Sequence, residues 1–158
     1  MNIRKRTEEE WQEQIHSLLK DDDENWLFCV LNTKNHTTTD RLQRALRHTL
    51  NLIDCKAMGR SRKGPPRDRL SRVSVIECDP ENSHCHLLLR TGGGITSRTE
   101  LAGILHRTWQ NDPISGRHGR IEPFDKTKGG TRYIANKLTA QSISAQPSPY
   151  WDIQGVRQ

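Results

Sequence analysis

Nothing in this 158-residue sequence approaches the roughly 20 consecutive apolar residues that a membrane-spanning helix requires. No membrane partner is therefore expected. Behind its first basic residues, MNIRKRTEEEW lacks the apolar stretch of a secretory leader. Cysteine is sparse, and Cys29, Cys55, Cys78 and Cys85 show no paired short spacing. Cys29, Cys78 and Cys85 fall inside apparent strands, where small buried thiols are common. These absences exclude a disulfide framework and lead us to expect a reducing, cytoplasmic setting. Hydrophobic residues are also few, at 32%, so the core must come from short apolar runs rather than long buried helices. A chain of this length suits one compact domain.

What is abundant is positive charge. Charged residues make up 28% of the chain and the formal net charge is +6, with arginine well ahead of lysine, which suits bidentate contact with phosphate oxygens. A polyanionic partner follows from this, although a merely soluble basic surface would have the same composition. The chemistry of particular residues has to separate the two.

Along the chain, Thr7 to Lys20 carries Trp11, Ile15, Leu18 and Leu19 at helical spacing behind three glutamates that complement the helix dipole. The run WLFCVL, Trp26 to Leu31, has the length and continuous apolarity of a central strand. Thr39 or Asp40 caps a helix with Leu42, Ala45, Leu46, Leu50 and Ile53 on one face. The segment KAMGRSRKGPPRDR, Lys56 to Arg69, is too polar to bury and is expected to be a mobile basic loop. Leu70 to Cys78 and His84 to Arg90 read as adjacent antiparallel strands joined by the turn-forming Asp79 to Ser83. The glycine triplet Gly92 to Gly94 follows. A helix then opens at Ser97 or Thr99 with Leu101, Ile104, Leu105 and Trp109 on one face. Gly119 to Phe124 reads as a short strand, and Thr131 to Ala140 reads as a further helix. This order predicts an α+β fold in which helices pack on a central antiparallel β-sheet. Residues 1–24 are expected to form a helical extension, 25–141 the domain, and the Ser, Pro and Gln-rich residues 142–158 a disordered tail.

The most informative stretch is VSVIECDPENSHCHLLL. His84 and His86 flank one residue, so on a strand both imidazoles point to the same face and can reach one ion. Glu77, across the hairpin, can complete a two-imidazole, one-carboxylate site with open positions, which suits Mg²⁺ or Mn²⁺ and a directly bound phosphate oxygen. Two other readings stand beside it. One is a hairpin with two surface histidines. The other is a structural zinc cluster of Cys78, His84, Cys85 and His86, against which the spacing argues, since Cys85 should face away from both histidines. Tyr133 follows the Gly129-Gly130 turn, one helical turn before Lys137 on the same face. A phenol there can act as a nucleophile if a nearby cation or base offsets its ordinary pKa of about 10. A tyrosine on such a helix also serves simply to pack. The basic loop, with Arg60, Arg62, Lys63, Arg67 and Arg69, together with Arg90, Arg98 and Arg132, would track a single strand through its phosphates. Solvated surface charge is the alternative.

Together, the HCHLLL strand, the later helix GGTRYIANKL and the first-strand run WLFCVLN resemble the HUH endonucleases over roughly Trp26 to Leu138. Within that superfamily the chain resembles the single-tyrosine rolling-circle replication initiators. The resemblance implies that His84, His86 and Glu77 bind the metal and that Tyr133 forms a 5′-phosphotyrosine link. The implied function is a site-specific single-strand DNA endonuclease and strand transferase that starts rolling-circle replication of a plasmid or phage at its origin. A single-tyrosine transposase or mobilisation relaxase, and a non-catalytic DNA-binding module, are the rival functions. Initiators often place lysine three residues after the tyrosine, whereas here Asn136 stands there and Lys137 comes fourth, which is similar to the small single-tyrosine transposases. Tyr150, beside Trp151, lies outside the tyrosine helix. The chain has no Gly-Lys-Ser/Thr phosphate loop, so any helicase is expected from the host.

Overall fold

A computed structural model describes residues 7–19, 23–62, 64–78, 83–116, 119–134 and 151–154. Its framework is a five-stranded antiparallel sheet. The strands are β1 (Trp26–Asn32), β2 (Arg72–Cys78), β3 (Ser83–Arg90), β4 (Arg120–Pro123) and β5 (Trp151–Gln154). Their spatial order, β4-β1-β3-β2-β5, puts β3 in the middle with a hydrogen-bonded neighbour on each side. The helices are α1 (Glu8–Leu19), α2 (Thr39–Met58) and α3 (Arg98–Gln110). A further helix, α4, begins at residue 130 and is described through 134. The α+β expectation holds.

Side-chain alternation divides the strands between two cores. Leu27, Cys29 and Leu31 of β1 and Cys85, Leu87 and Leu89 of β3 face α2 and α3, whose Leu42, Leu46, Ile53, Leu101 and Leu105 complete that layer. The intervening residues Trp26, Val73, Val75 and Leu88 face the other way, onto Trp11, Ile15 and Leu19 of α1 and onto Phe124 and Ile134. Each such buried aliphatic or aromatic side chain contributes about 1.5–3 kcal/mol. Both faces of the sheet are therefore covered, which explains why WLFCVL is apolar throughout rather than alternating.

Local chemistry sets the helix ends. Thr7 Oγ1 accepts from the Glu10 amide at 3.2 Å and Glu10 Oε2 accepts from the Thr7 amide at 2.8 Å, a reciprocal cap that starts α1. Thr38, one residue earlier than expected, caps α2 by accepting from the Arg41 amide, and Ser97 caps α3. Gly59, at φ 82°, closes α2 with its N–H on the Cys55 carbonyl. The helix thus runs to Met58, three residues into the segment expected to be loop.

The helix expected in the N-terminal extension is α1, and its apolar face is part of the second core. Within the tail expected to be disordered, residues 151–154 pair with β2, with Val73 opposite Ile153. The basic loop is also more ordered than expected. Arg60 bridges Pro66, and the Arg67 amide donates to the Gly59 carbonyl at 3.0 Å. Short backbone bonds of this kind satisfy groups that no core could cover.

Candidate metal centre and the adjoining cleft

The central strand and its neighbour build the site. In the β2–β3 register Glu77 stands directly opposite His84 and Val75 opposite His86, so the carboxylate and both imidazoles share one face. His84 Nε2 lies 3.3 Å from Glu77 Oε2, and His86 Nε2 lies 3.6 Å from Glu77 Oε1. The two rings meet edge to face with centroids 4.8 Å apart. Each of the three residues offers a ligand atom, and these atoms lie within 4.8 Å of one another. The group can hold a metal ion, and its donor set of two imidazoles and a carboxylate is one that divalent cations accept.

Burial separates this from a surface histidine pair. The side chains of His86, His84 and Glu77 are 5%, 14% and 22% exposed, which lowers the local dielectric yet leaves an approach from solvent. Cys85 is fully buried on the opposite face, in the α2–α3 core. A zinc cluster that includes it is therefore excluded. The side chain of Cys78 lies outside the described residues.

Tyr133 comes to the same place from the far end of the domain. Its amide donates to the Gly129 carbonyl at 3.0 Å at the start of α4. Gly129 is left-handed at φ 72°, which lets the chain turn directly from the Lys126–Lys128 3₁₀ turn into the helix. Ile134 is buried in the second core and anchors α4. The Tyr133 ring packs against His86 with centroids 5.0 Å apart at 73°, yet the residue remains 44% exposed.

Beside this pair lies a cleft of about 370 Å³. Phe28 and Val30 of β1 and Arg120 and Glu122 of β4 line it, as do Lys128 and Tyr133. Arg120 Nη2 sits 3.1 Å from Glu122 Oε1, an exposed pair of little energetic weight.

No family model, curated protein or solved structure matches the chain. Its chemistry is therefore read from the side chains themselves. Of the residues singled out in the sequence, Glu77, His84, His86 and Tyr133 come together, and the exposed Arg132 adjoins Tyr133 on α4. The others separate. Arg90 pairs with Trp26 at the far end of β3, six residues from His84. Arg60, Arg62, Arg67 and Arg69 lie between the end of α2 and Arg72, beside the opposite end of β2 from Glu77. Arg98, in contrast, is held beside the cleft, where it donates at 3.5 Å to the carbonyl of Phe124, one of the lining residues. Lys63 and Lys137 lie outside the described residues.

The sequence reading missed the cleft cations Arg120 and Lys128. Arg120 and Glu122 do alternate as a strand's outward face would, but their role depends on the long-range pairing of Val30 with Arg120 and Phe28 with Glu122. It also missed the buried pair behind the sheet. Asp54 of α2, fully buried, accepts from the two terminal guanidinium nitrogens of Arg72, Nη1 and Nη2, and from the Leu70 amide at 3.0 Å.

Proposed function

We propose that this chain is a metal-dependent single-strand DNA nickase and strand transferase of the HUH type, acting at an origin to start rolling-circle replication of a plasmid or phage. What supports the reading above all is the contact between the Tyr133 ring and His86, 5.0 Å apart, at the edge of a group able to hold a metal. A phenol and a metal-ligating imidazole in contact can share one phosphodiester. The partly exposed phenol and the adjoining cleft leave room for a single strand, and Arg120 and Lys128 supply positive charge for its phosphates.

A divalent cation held by Glu77, His84 and His86, Mg²⁺ or Mn²⁺ in this reading, would supply Lewis-acid polarisation of the phosphate. The chain's own groups do the rest. Glu77 faces both imidazoles and holds the two rings in position. Tyr133 is the nucleophile: its oxygen forms a bond to phosphorus as the bond from phosphorus to the 3′-oxygen breaks. The phenolic proton is lost and the departing 3′-oxygen gains one, so one phosphodiester replaces another. That exchange keeps the 5′-phosphate on the protein and allows the strand to be rejoined. Lys137, four residues further along the sequence, is assigned the supporting positive charge.

The test is nicking of a labelled single-stranded oligonucleotide library in Mn²⁺. Wild type is expected to nick, Tyr133→Phe to lose activity by on the order of a thousandfold or more, and Glu77→Gln to lose its response to metal. A Tyr133→Phe protein that nicks as wild type does would overturn the nucleophile assignment. A wild type that binds single strands but never nicks would instead favour a binding module.

A further inference from the structure

The strongest charged feature outside the site lies on the other face of the sheet. α2 buries Leu42, Ala45, Leu46, Leu50 and Ile53 against the sheet, and the helical period turns Arg41, Arg44 and Arg47 outward, where all three are exposed. Asn51 falls on that same outward side, and its Oδ1 accepts from Arg69 Nη1 at 2.7 Å. That bond fastens the end of the basic loop to the helix, so Arg69 continues the surface that the helix arginines begin. Its exposed acidic members are Asp40 and Asp68, while Asp54 is buried against Arg72 and also lies 3.4 Å from Arg69 Nη1. Because α2 packs on the face carrying Leu87 and Leu89, this surface points away from Glu77, His84 and His86.

We infer that the outward face of α2 and the loop fastened to it form a second nucleic-acid site, one that grips the backbone of double-stranded DNA. This goes beyond the nicking reading and does not depend on it. From Arg41 to Asn51 the helix rises about 15 Å, a length over which a duplex presents on the order of nine phosphate charges. Arginine forks on a rigid helix match phosphate oxygens without base contact. A single strand is the poorer fit, because stacking needs exposed aromatic rings and the exposed large apolar residues among those described are Leu52 and Tyr133, of which only Leu52 is on α2. Leu52 alone is also too little apolar area to seat the helix in a lipid surface. Two opposed faces would let one molecule hold a duplex arm while the other face engages a strand.

The test uses the full chain and a 30-base-pair duplex of arbitrary sequence, titrated at several salt concentrations. Relative to wild type, the triple variant Arg41→Gln, Arg44→Gln, Arg47→Gln should bind at least about tenfold more weakly, with a salt slope shallower by about 2 to 3, near 0.9 for each lost contact. Arginine-to-lysine changes at the same positions should restore most of the slope and serve as the folding control. Cleavage of single strands should be unchanged in both, so its absence in wild type would count against the nickase alone. The inference is overturned if wild type fails to bind duplex, if the glutamine variant keeps the wild-type slope, or if anionic vesicles are bound in preference to duplex.

Discussion

At the scale of single residues, the separation of roles between the two faces of β3 organises the chemistry. His84 and His86 point to one side and Cys85 to the other, so neighbouring positions meet opposite environments. Removal of one metal donor should weaken Mn²⁺ binding by at least about tenfold, given that even outer partners of ligands cost 10–100-fold. His84→Ala and Glu77→Gln, followed by isothermal titration, check this, and unchanged affinity in both would show that the group is not the binding site. The thiols give a second residue-scale prediction. Burial first, then the neighbouring Cys85 and the Glu122 carboxylate, push the Cys29 thiol far above its ordinary range. Native protein treated with iodoacetamide should therefore be modified at the half-buried Cys55 before Cys29, which should react only on unfolding. The HxH spacing made this arrangement legible, because a period of two fixes direction along a strand whatever the rest of the fold does.

Between elements, the firmest tie is Asp54 with Arg72, which fixes α2 to the start of β2 from within the core. Asp54→Ala would leave a buried guanidinium without its counter-charge, at a cost of about 3–5 kcal/mol. Denaturant unfolding should show that loss, and a change below about 1 kcal/mol would mean that Arg72 finds other partners. Gly93 supplies a related constraint at φ 54°: any Cβ there would press on the Ala57 carbonyl at the end of α2. Neither tie could be read from pattern. Asp54 and Arg72 look like ordinary surface charges in sequence, and only the fold brings them together across 18 residues. The helices themselves were legible through caps and period, as Ser97 and the Leu101, Ile104, Leu105 stripe illustrate. The docking of α1 was not, because an amphipathic face shows that something is covered without showing what.

At the scale of the molecule, the sheet partitions the described residues, with Glu77, His84, His86 and Tyr133 on one side and the arginine helix on the other. The sequence reading joined the basic loop to the histidines because both are functional in type. Register separates them, since Arg72 and Glu77 stand at opposite ends of β2. The strand at 151–154 was hidden for a related reason, as pairing to β2 comes from a partner about 80 residues away. Metal should also be felt globally: at about 100 times its dissociation constant it should stabilise the fold by about 2.7 kcal/mol. Thermal unfolding with Mn²⁺ and then excess chelator should show the gain and its reversal, and Glu77→Gln should show neither. The most direct test of the central claim is mass analysis of peptides after incubation with single-stranded DNA and Mn²⁺. The account predicts a 5′-phosphate-linked nucleotide on the peptide containing Tyr133, absent in Tyr133→Phe, whereas strand cleavage that leaves Tyr133 unmodified would contradict it.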